Sequence, residues 1–329
     1  MRYLVAGLAR TGTSVIRMAQ RDGDDVIGYD DNEAVAARVA TDFGLERVGS
    51  TAAFADAALA EVDEVIVSPG FPLAHPLRAA ASARGVPIIG DVELAARRTD
   101  AAIIAVTGTN GKSTVTRLIT DMLLAGGHKA VEAGNVGYPM LDAVEDPAEY
   151  YVVEVSSFQL ADADAFHPLV GVWTNLSPDH LDWHPDVDHY IASKARLWAN
   201  QTDADVAVVN AEDPVVMQAS TGIAARRVTF GINTGAARVV DGHLRGPQHE
   251  DLGGVEAMAR PFPHELANGL AAACAALAVG VDADVCASVL RDFRGLPHRI
   301  QLVGHIGGVP CFDDSKATTP ASVVTALAA

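Results

Sequence analysis

Cysteine is scarce: the 329 residues hold 3. Cys274, Cys286 and Cys311 are too few and too scattered for a disulfide framework or a cysteine-bound zinc site, and a reducing compartment fits this usage. Basic residues are also in short supply, with 24 Lys plus Arg against 42 Asp plus Glu and a formal net charge of −18. Affinity for a nucleic-acid backbone needs clustered cations, so a nucleic-acid partner is disfavoured. Long apolar runs are missing as well. The longest, Gly269 to Val281, falls short of the ~18–20 residues that cross a bilayer and reads as a buried Ala-rich helix, with no membrane partner expected. Residues Met1 to Gly7 carry a short apolar run that meets a glycine turn, without the longer apolar core and small-residue cleavage site of an export signal. The expected location is cytoplasmic. No internal repeat and no low-complexity linker is visible.

What is present is enough apolar material for a sizeable core, 49% hydrophobic residues against 20% charged. At about 150 residues per domain the length suggests roughly two domains. Short apolar runs at Tyr3 to Ala6, Val26 to Tyr29, Val65 to Val67 and Val86 to Ile89 alternate with helix-like stretches, as βα units of a parallel sheet do. A second series, Ile103 to Thr107, Tyr151 to Val155, Val170 to Thr174 and Val206 to Asn210, starts at a new glycine turn. Past Pro297 the pattern restarts, with strands at Ile300 to Val303 and Val309 to Phe312 and the start of a helix. A lone unit of that kind cannot bury its own sheet face. The expected class is therefore α/β in three parts: a Rossmann-like domain over 1–90, a central P-loop ATPase-type domain over 91–297, and the first unit of an incomplete third Rossmann-like domain over 298–329.

Two glycine loops carry chemistry. Gly7-Leu8-Ala9-Arg10-Thr11-Gly12 follows a strand and opens a helix, and Asp30 ends the next strand, where an acid meets a ribose hydroxyl in a dinucleotide-binding unit. Such a loop serves equally as a close strand–helix packing turn. The second, Gly108-Thr109-Asn110-Gly111-Lys112-Ser113-Thr114, again stands between strand and helix. Its backbone N–H groups face phosphates, Lys112 reaches the terminal ones, and the Ser113 hydroxyl suits magnesium. Val106 stands where a strict Walker A motif has glycine, so the loop is a shorter variant. Glu154 ends a neighbouring strand, a place for a hard oxygen ligand. His180 follows the next strand and faces the same crevice, and Lys194 lies on a helix from Tyr190 to Trp198.

The second loop resembles the ATP loop of the Mur ligases, its Ser-Thr ending being that of the D-glutamate-adding branch. Further matches lie in the same order: Ser68-Pro69-Gly70 with His75-Pro76, Gly134-Asn135-Val136-Gly137, Glu154-Val155-Ser156-Ser157-Phe158-Gln159-Leu160, Asp179-His180-Leu181-Asp182, Pro297-His298-Arg299 and Asp313-Asp314-Ser315-Lys316-Ala317-Thr318. The resemblance implies an ATP-dependent ligase that adds D-glutamate to UDP-N-acetylmuramoyl-L-alanine through an acyl phosphate, as a monomer, with ATP as co-substrate and two magnesium ions. It implies catalytic roles for Lys112, Glu154, His180 and Lys194, the last as a carbamate that joins Ser113, Glu154 and His180 as a metal ligand. It also places Asn268 at the adenine, Arg299 and Lys316 at the phosphates and Asp314 at the ribose of ATP. Thr11, Asp30, Gly70, Asn135 and Ser156 fall around the UDP-sugar, and Thr318 reaches the incoming amino acid. His264-Glu265 and Thr319 depart from the family's His-Asn and Asn. The third domain of the family closes over ATP, so a chain ending at Ala329 is expected to bind uridine nucleotide without full turnover. Two alternatives stay open: another Mur or folylpolyglutamate-type amino-acid ligase, and a nucleotide-binding module that is no ligase and uses only the first loop.

Overall fold

Both glycine loops leave the carboxyl end of a strand that has neighbours on both sides in a parallel sheet. In the computed structural model, which describes residues 1–135, 137–317 and 320–327, the first sheet has five strands. Their order is Val48–Gly49, Asp25–Tyr29, Arg2–Ala6, Glu64–Val67 and Ile88–Gly90, every pair parallel. Parallel pairing needs crossovers, supplied here by helices such as Arg10–Asp22, Glu33–Phe43 and Pro76–Arg84. Helices on both faces bury most of the three central strands, so these read as continuous apolar runs. Alternate residues feed different cores: Val5 and Ile66 join one cluster, Leu4, Ala6, Val65 and Val67 the other.

The second sheet has six parallel strands, ordered Arg226–Phe230, Val206–Asn210, Val170–Trp173, Ala102–Thr107, Tyr150–Glu154 and Ala130–Gly134. From Ala102–Thr107 the chain builds to one side and then returns to the other, so the topological switch lies beside this strand. Crevices at the carboxyl ends of strands open at such a point. The two outer strands escape the sequence pattern because they are partly polar, with exposed Arg226 and Arg227 on one and half-buried Glu132 on the other.

Beyond the sheet, strands Arg238–Val240, His243–Arg245 and Asp251–Gly254 form a small antiparallel sheet. Its Leu244 and Leu252 pack into the core built by helices Lys112–Ala125 and Pro263–Ala278. The latter is the expected Ala-rich helix. At Gly269 an added Cβ would lie 2.8 Å from Leu290 Cδ2, so the small residue lets helix Ala283–Asp292 come close. Strands Gln301–Ile306 and Val309–Asp313 form a separate antiparallel hairpin, followed by helix Pro320–Leu327. Its Val303, Ile306 and Val309 are exposed. Among the described residues no helix is long and apolar enough to cross a membrane.

The two large units share one apolar cluster, in which Ile16, Val92 and Leu94 join Met140, Leu141 and Leu160, and polar contacts add to it. Arg78 forms a two-pronged ion pair with Asp162, at 2.6 and 2.9 Å. Trp183 donates its indole N–H to the Phe71 carbonyl at 3.2 Å. Deeper in the second unit, Trp173 and Trp198 are both fully buried with ring centroids 5.4 Å apart, and Trp198 donates to the Gly171 carbonyl at 3.0 Å. Trp198→Ala is expected to destabilise the fold by about 3–5 kcal/mol, the usual range for deleting a buried aromatic, read as a lowered urea midpoint.

Candidate active site

The phosphate loop is closed by two glycines that no other residue could replace in place. Gly108 has φ +145° and its Cβ would lie 1.9 Å from Thr174 Oγ1. Gly111 has φ +86° and would meet Asn268 Oδ1 at 2.4 Å. Val106 is an interior strand residue in register with Glu154 and fully buried, which accounts for valine where the longer motif has glycine. The loop is tied down from the next strand's end: the Asn110 N–H donates to Asn175 Oδ1 at 2.9 Å, and Asn175 Nδ2 donates to the Asn110 carbonyl at 3.0 Å. Thr109 Oγ1 donates to the Ser177 carbonyl at 3.0 Å.

Two lysines converge on this loop. Lys112 Nζ donates to the carbonyls of Gly108 and Thr109 at 3.1 and 3.0 Å. Lys194, on helix Val187–Ala195, is only 2% exposed and donates to the same Gly108 carbonyl at 2.9 Å. It is no solvent-facing lysine. Burial pulls the pKa of each below the ordinary lysine range, strongly for Lys194, where the neighbouring Lys112 charge adds to the effect. Asp179 and Glu154 oppose the shift at both.

Glu154 is buried at the end of its strand and accepts from Ser113 Oγ at 2.6 Å and from Asn135 Nδ2 at 3.3 Å. Arg299 in turn donates to Ser113 Oγ at 3.2 Å. This path joins two cavities. One, of ≈ 360 Å³, is lined by Asn110, Gly111, Thr114, Asn268, Arg299 and Asp314 together with Asn210, Asp213 and Phe230. The other, of ≈ 210 Å³, lies between the sheets and is lined by Thr11, Ser68, Asn135 and Gln159. Ser113 and Glu154 offer oxygen donors to a hard cation. Among the described residues no group of three or more His, Cys, Asp or Glu could hold a metal ion. That donor set suits magnesium, which keeps waters and phosphate oxygens in its shell instead of filling a protein cage.

The remaining expected residues fall at the margins. Asp30 accepts backbone N–H bonds from Leu8 at 2.8 Å and Asn32 at 2.9 Å, pinning the first glycine loop, and it does not line the cavity. Gly70, at φ +81°, is exposed and follows the cavity-lining Ser68 and Pro69. Ser156 caps helix Ser157–Ala161 behind the cavity wall. His180 is half exposed, in a left-handed conformation at φ 55°, with its ring 4.8 Å from that of Phe158. Among the described contacts it has none with Ser113, Glu154 or Lys194. Lys316 is exposed and lines neither cavity. Thr318 and Thr319 lie outside the described residues, as does Val136.

Sequence reading passed over Asp179, which faces both lysines electrostatically, although it adjoins His180 in the same motif. It also passed over Asn175, Asn210 and Phe230. Each ends or follows a strand of the second sheet, and the rule that ligands bind at the carboxyl ends of parallel strands is the signal that finds them.

Comparison with known proteins is consistent along the chain. The profile described as Mur ligase MurD-like, N-terminal domain, matches residues 1–90, and that of the Mur ligase middle domain matches residues 106–276. The UDP-N-acetylmuramoylalanine–D-glutamate ligase of Pelotomaculum thermopropionicum is 37% identical over 99% of this chain and 74% of its own length. That of Aquifex aeolicus is 35% identical over 99% of this chain and 73% of its own. The chain thus spans about three quarters of these relatives. Among solved structures, a murein peptide ligase from Psychrobacter arcticus aligns with a TM-score of 0.61 at 18% identity, covering 99% of this chain and 75% of the other. UDP-N-acetylmuramate–alanine ligase from Thermotoga maritima gives 0.57 at 20%, covering 99% and 76%. These two likenesses concern the fold. On the strength of the matched domains and the high-coverage relatives, the chain belongs to the Mur ligase family, in its MurD-like branch.

Proposed function

We propose that the chain carries the nucleotide and UDP-sugar sites of an ATP-dependent ligase that joins D-glutamate to UDP-N-acetylmuramoyl-L-alanine, a step of peptidoglycan precursor synthesis, in the cytoplasm and as a monomer. The observation that supports this best is the path from Asn135 through Glu154 and Ser113 to Arg299, because it links the two cavities at the phosphate loop. ATP takes the larger cavity, with Asn268 at the base, Asp314 at the ribose, and Arg299 with the loop from Gly108 to Thr114 at the phosphates. The UDP-sugar approaches over Thr11 and Asn135, with Asp30, Gly70 and Ser156 around it. In this reading residues 1–90 bind uridine nucleotide, 91–297 bind ATP, and 298–329 contribute Arg299, Asp314, Lys316 and Thr318 to the closing side.

A carboxylate is a poor electrophile at neutral pH. The alanyl carboxylate oxygen attacks the γ-phosphorus, the bond to the ADP oxygen breaks, and an acyl phosphate results. The amine of D-glutamate, held near Thr318, then attacks the acyl carbon; the carbon–oxygen bond breaks, phosphate leaves, and the nitrogen loses a proton. The protein's part is to orient the groups and to stabilise charge. With a net charge of −18 the chain repels anions at long range, so the local cations Lys112, Arg299 and Lys316 define the site. Ser113 and Glu154 would hold one magnesium ion, and carbamylated Lys194 would help to hold a second. Bound magnesium would neutralise phosphate charge and lower the electrostatic barrier to transfer. Burial favours the neutral amine of Lys194, which is the form that carbamylation needs: its nitrogen lone pair adds to carbon dioxide, a carbon–nitrogen bond forms, and a proton is released to solvent.

Lys112→Ala is expected to weaken MgATP binding about 10–100-fold, as loss of a charged hydrogen bond does, while UDP-N-acetylmuramoyl-L-alanine still binds with its original affinity in titration calorimetry. Loss of both affinities together would point to misfolding of the loop and against this role. For Lys194, protein equilibrated with carbon-13 bicarbonate and magnesium is expected to show a carbamate resonance that Lys194→Arg abolishes. The signal should fade as pH falls, because protonation of the amine withdraws the lone pair. A bare amine across the neutral and alkaline range would dismiss the carbamate.

A further inference from the structure

Two buried polar groups, Asp91 and Gln159, and the partly buried Ser156 are linked at the smaller cavity, and the mechanism uses none of their bonds. Gln159, 2% exposed, donates from Nε2 to both oxygens of Asp91, at 3.3 and 3.1 Å, and Asp91 is itself 4% exposed. Its amide oxygen accepts from the Ser156 N–H at 3.0 Å and from Ser156 Oγ at 3.1 Å. The Gln159 N–H returns to Ser156 Oγ at 3.2 Å, completing the capping box of helix Ser157–Ala161. Asp91 directly follows the last strand of the first sheet, whereas Gln159 and Ser156 follow Glu154 in the second. The three therefore connect the two units at the point where Gln159 lines the cavity beside Thr11 and Asn135.

We infer that Asp91 is a positioning residue for the UDP-sugar site: as a pure hydrogen-bond acceptor it permits only one orientation of the Gln159 amide, the one that presents Oε1 to Ser156. This rests on the assignment of the smaller cavity to the UDP-sugar. The chemistry is directional. A carboxylate takes hydrogens only, so Gln159 must aim its NH₂ at Asp91 and its oxygen at Ser156. A flipped amide would set NH₂ against the Ser156 N–H, two donors facing each other in a buried place, and would undo the cap. The turn from Glu154 to Ser156 holds the Asn135 contact, so its order reaches the cavity wall.

Among the described residues, the groups acting on Asp91 include no cation. Asp162, at the end of the same helix, faces it and is neutralised by Arg78 of helix Pro76–Arg84. Glu93, on the helix begun by Asp91, pairs with Arg97 and accepts the N–H groups of Asp164 and Ala165. Burial is the main cause that lifts the Asp91 carboxyl to about 6; Gln159 and the N–H groups of Asp91 and Val92 oppose the lift, and Asp162 adds to it. A folded pKa above the unfolded 3.8 means that the native state binds the extra proton between 3.8 and about 6. Stability contributed by the protonated form is thus lost as pH rises through that window, and at neutral pH the charged carboxylate is a burden on the fold.

The test uses the whole chain with four forms: wild type, Asp91→Asn, Gln159→Glu, and the double exchange of both. The exchange reverses the polarity, so that the amide at position 91 donates and the carboxylate at position 159 accepts from Ser156. Titration with UDP-N-acetylmuramoyl-L-alanine at about pH 8 should show each single variant weakened by about tenfold, the scale of one misplaced buried hydrogen bond, and the double variant restored to near wild type. MgATP affinity should stay level, and Asp91→Asn should melt no lower than wild type because it removes a buried charge. Wild-type affinity should also fall below about pH 6, where a protonated carboxyl can donate, with Asp91→Asn flat over the same range. Equal binding by wild type and Asp91→Asn, or no recovery in the double exchange, overturns the inference. Failure of wild type itself to bind the UDP-sugar, with MgATP binding intact, overturns instead the assignment of the cavity.

Discussion

The hydrogen bond from Ser113 to Glu154 is the contact on which the site depends. A carboxylate buried at the end of a central strand is expensive unless its oxygens are satisfied, and Glu154 is satisfied by the first turn of the phosphate-loop helix on one side and by Asn135 on the other. The register that pairs Val106 with Glu154 leaves no freedom in this arrangement, since sliding by one residue would turn the carboxylate to the opposite face. A ligand in either cavity therefore meets groups already tied to the other.

Charge is concentrated where it is scarce overall. In a chain with 24 basic residues against 42 acidic ones, Lys112 and Lys194 share the Gly108 carbonyl at 3.1 and 2.9 Å. Two ammonium groups that close in a dehydrated place repel each other strongly. The tension is relieved by Asp179 and Glu154 and by the tendency of Lys194 to give up its proton.

Arg299 reaches Ser113 from a strained segment. His298 and Ile300 flank it at φ 63° and 46°, a region that a β-branched residue rarely enters. Arg260 holds the stretch by donating to the carbonyls of Ile300 at 2.9 Å and Arg299 at 3.2 Å, while its other face pairs with buried Glu265. Backbone strain of this kind persists only where the surroundings enforce it. Here it turns the Arg299 guanidinium toward the phosphate loop, and it couples the departure from the family pattern at Glu265 to the position of Arg299.

Local pattern was sufficient for much of this molecule. The apolar runs at Tyr3 to Ala6, Val65 to Val67, Ile103 to Thr107 and Val206 to Asn210 announced buried parallel strands, because a strand covered on both faces has no polar alternation. The glycines at 108 and 111 announced a loop whose backbone comes too close to Thr174 and Asn268 for any side chain. Strands Ala130–Gly134 and Arg226–Phe230 were not legible, since an edge strand is held by one neighbour and tolerates charge. Nor could spacing reveal that Asp30 spends its oxygens on backbone N–H groups, that His180 packs on the Phe158 ring, or that Asp91 meets Gln159 across two sheets. Sequence by itself determined the buried central strands and the glycine loops that follow them, because propensity and turn geometry are properties of neighbouring residues. Only the tertiary structure decided the burial of Lys194 and the bridge from Asn135 to Arg299, because burial and partners far along the chain are set by how the sheets pack.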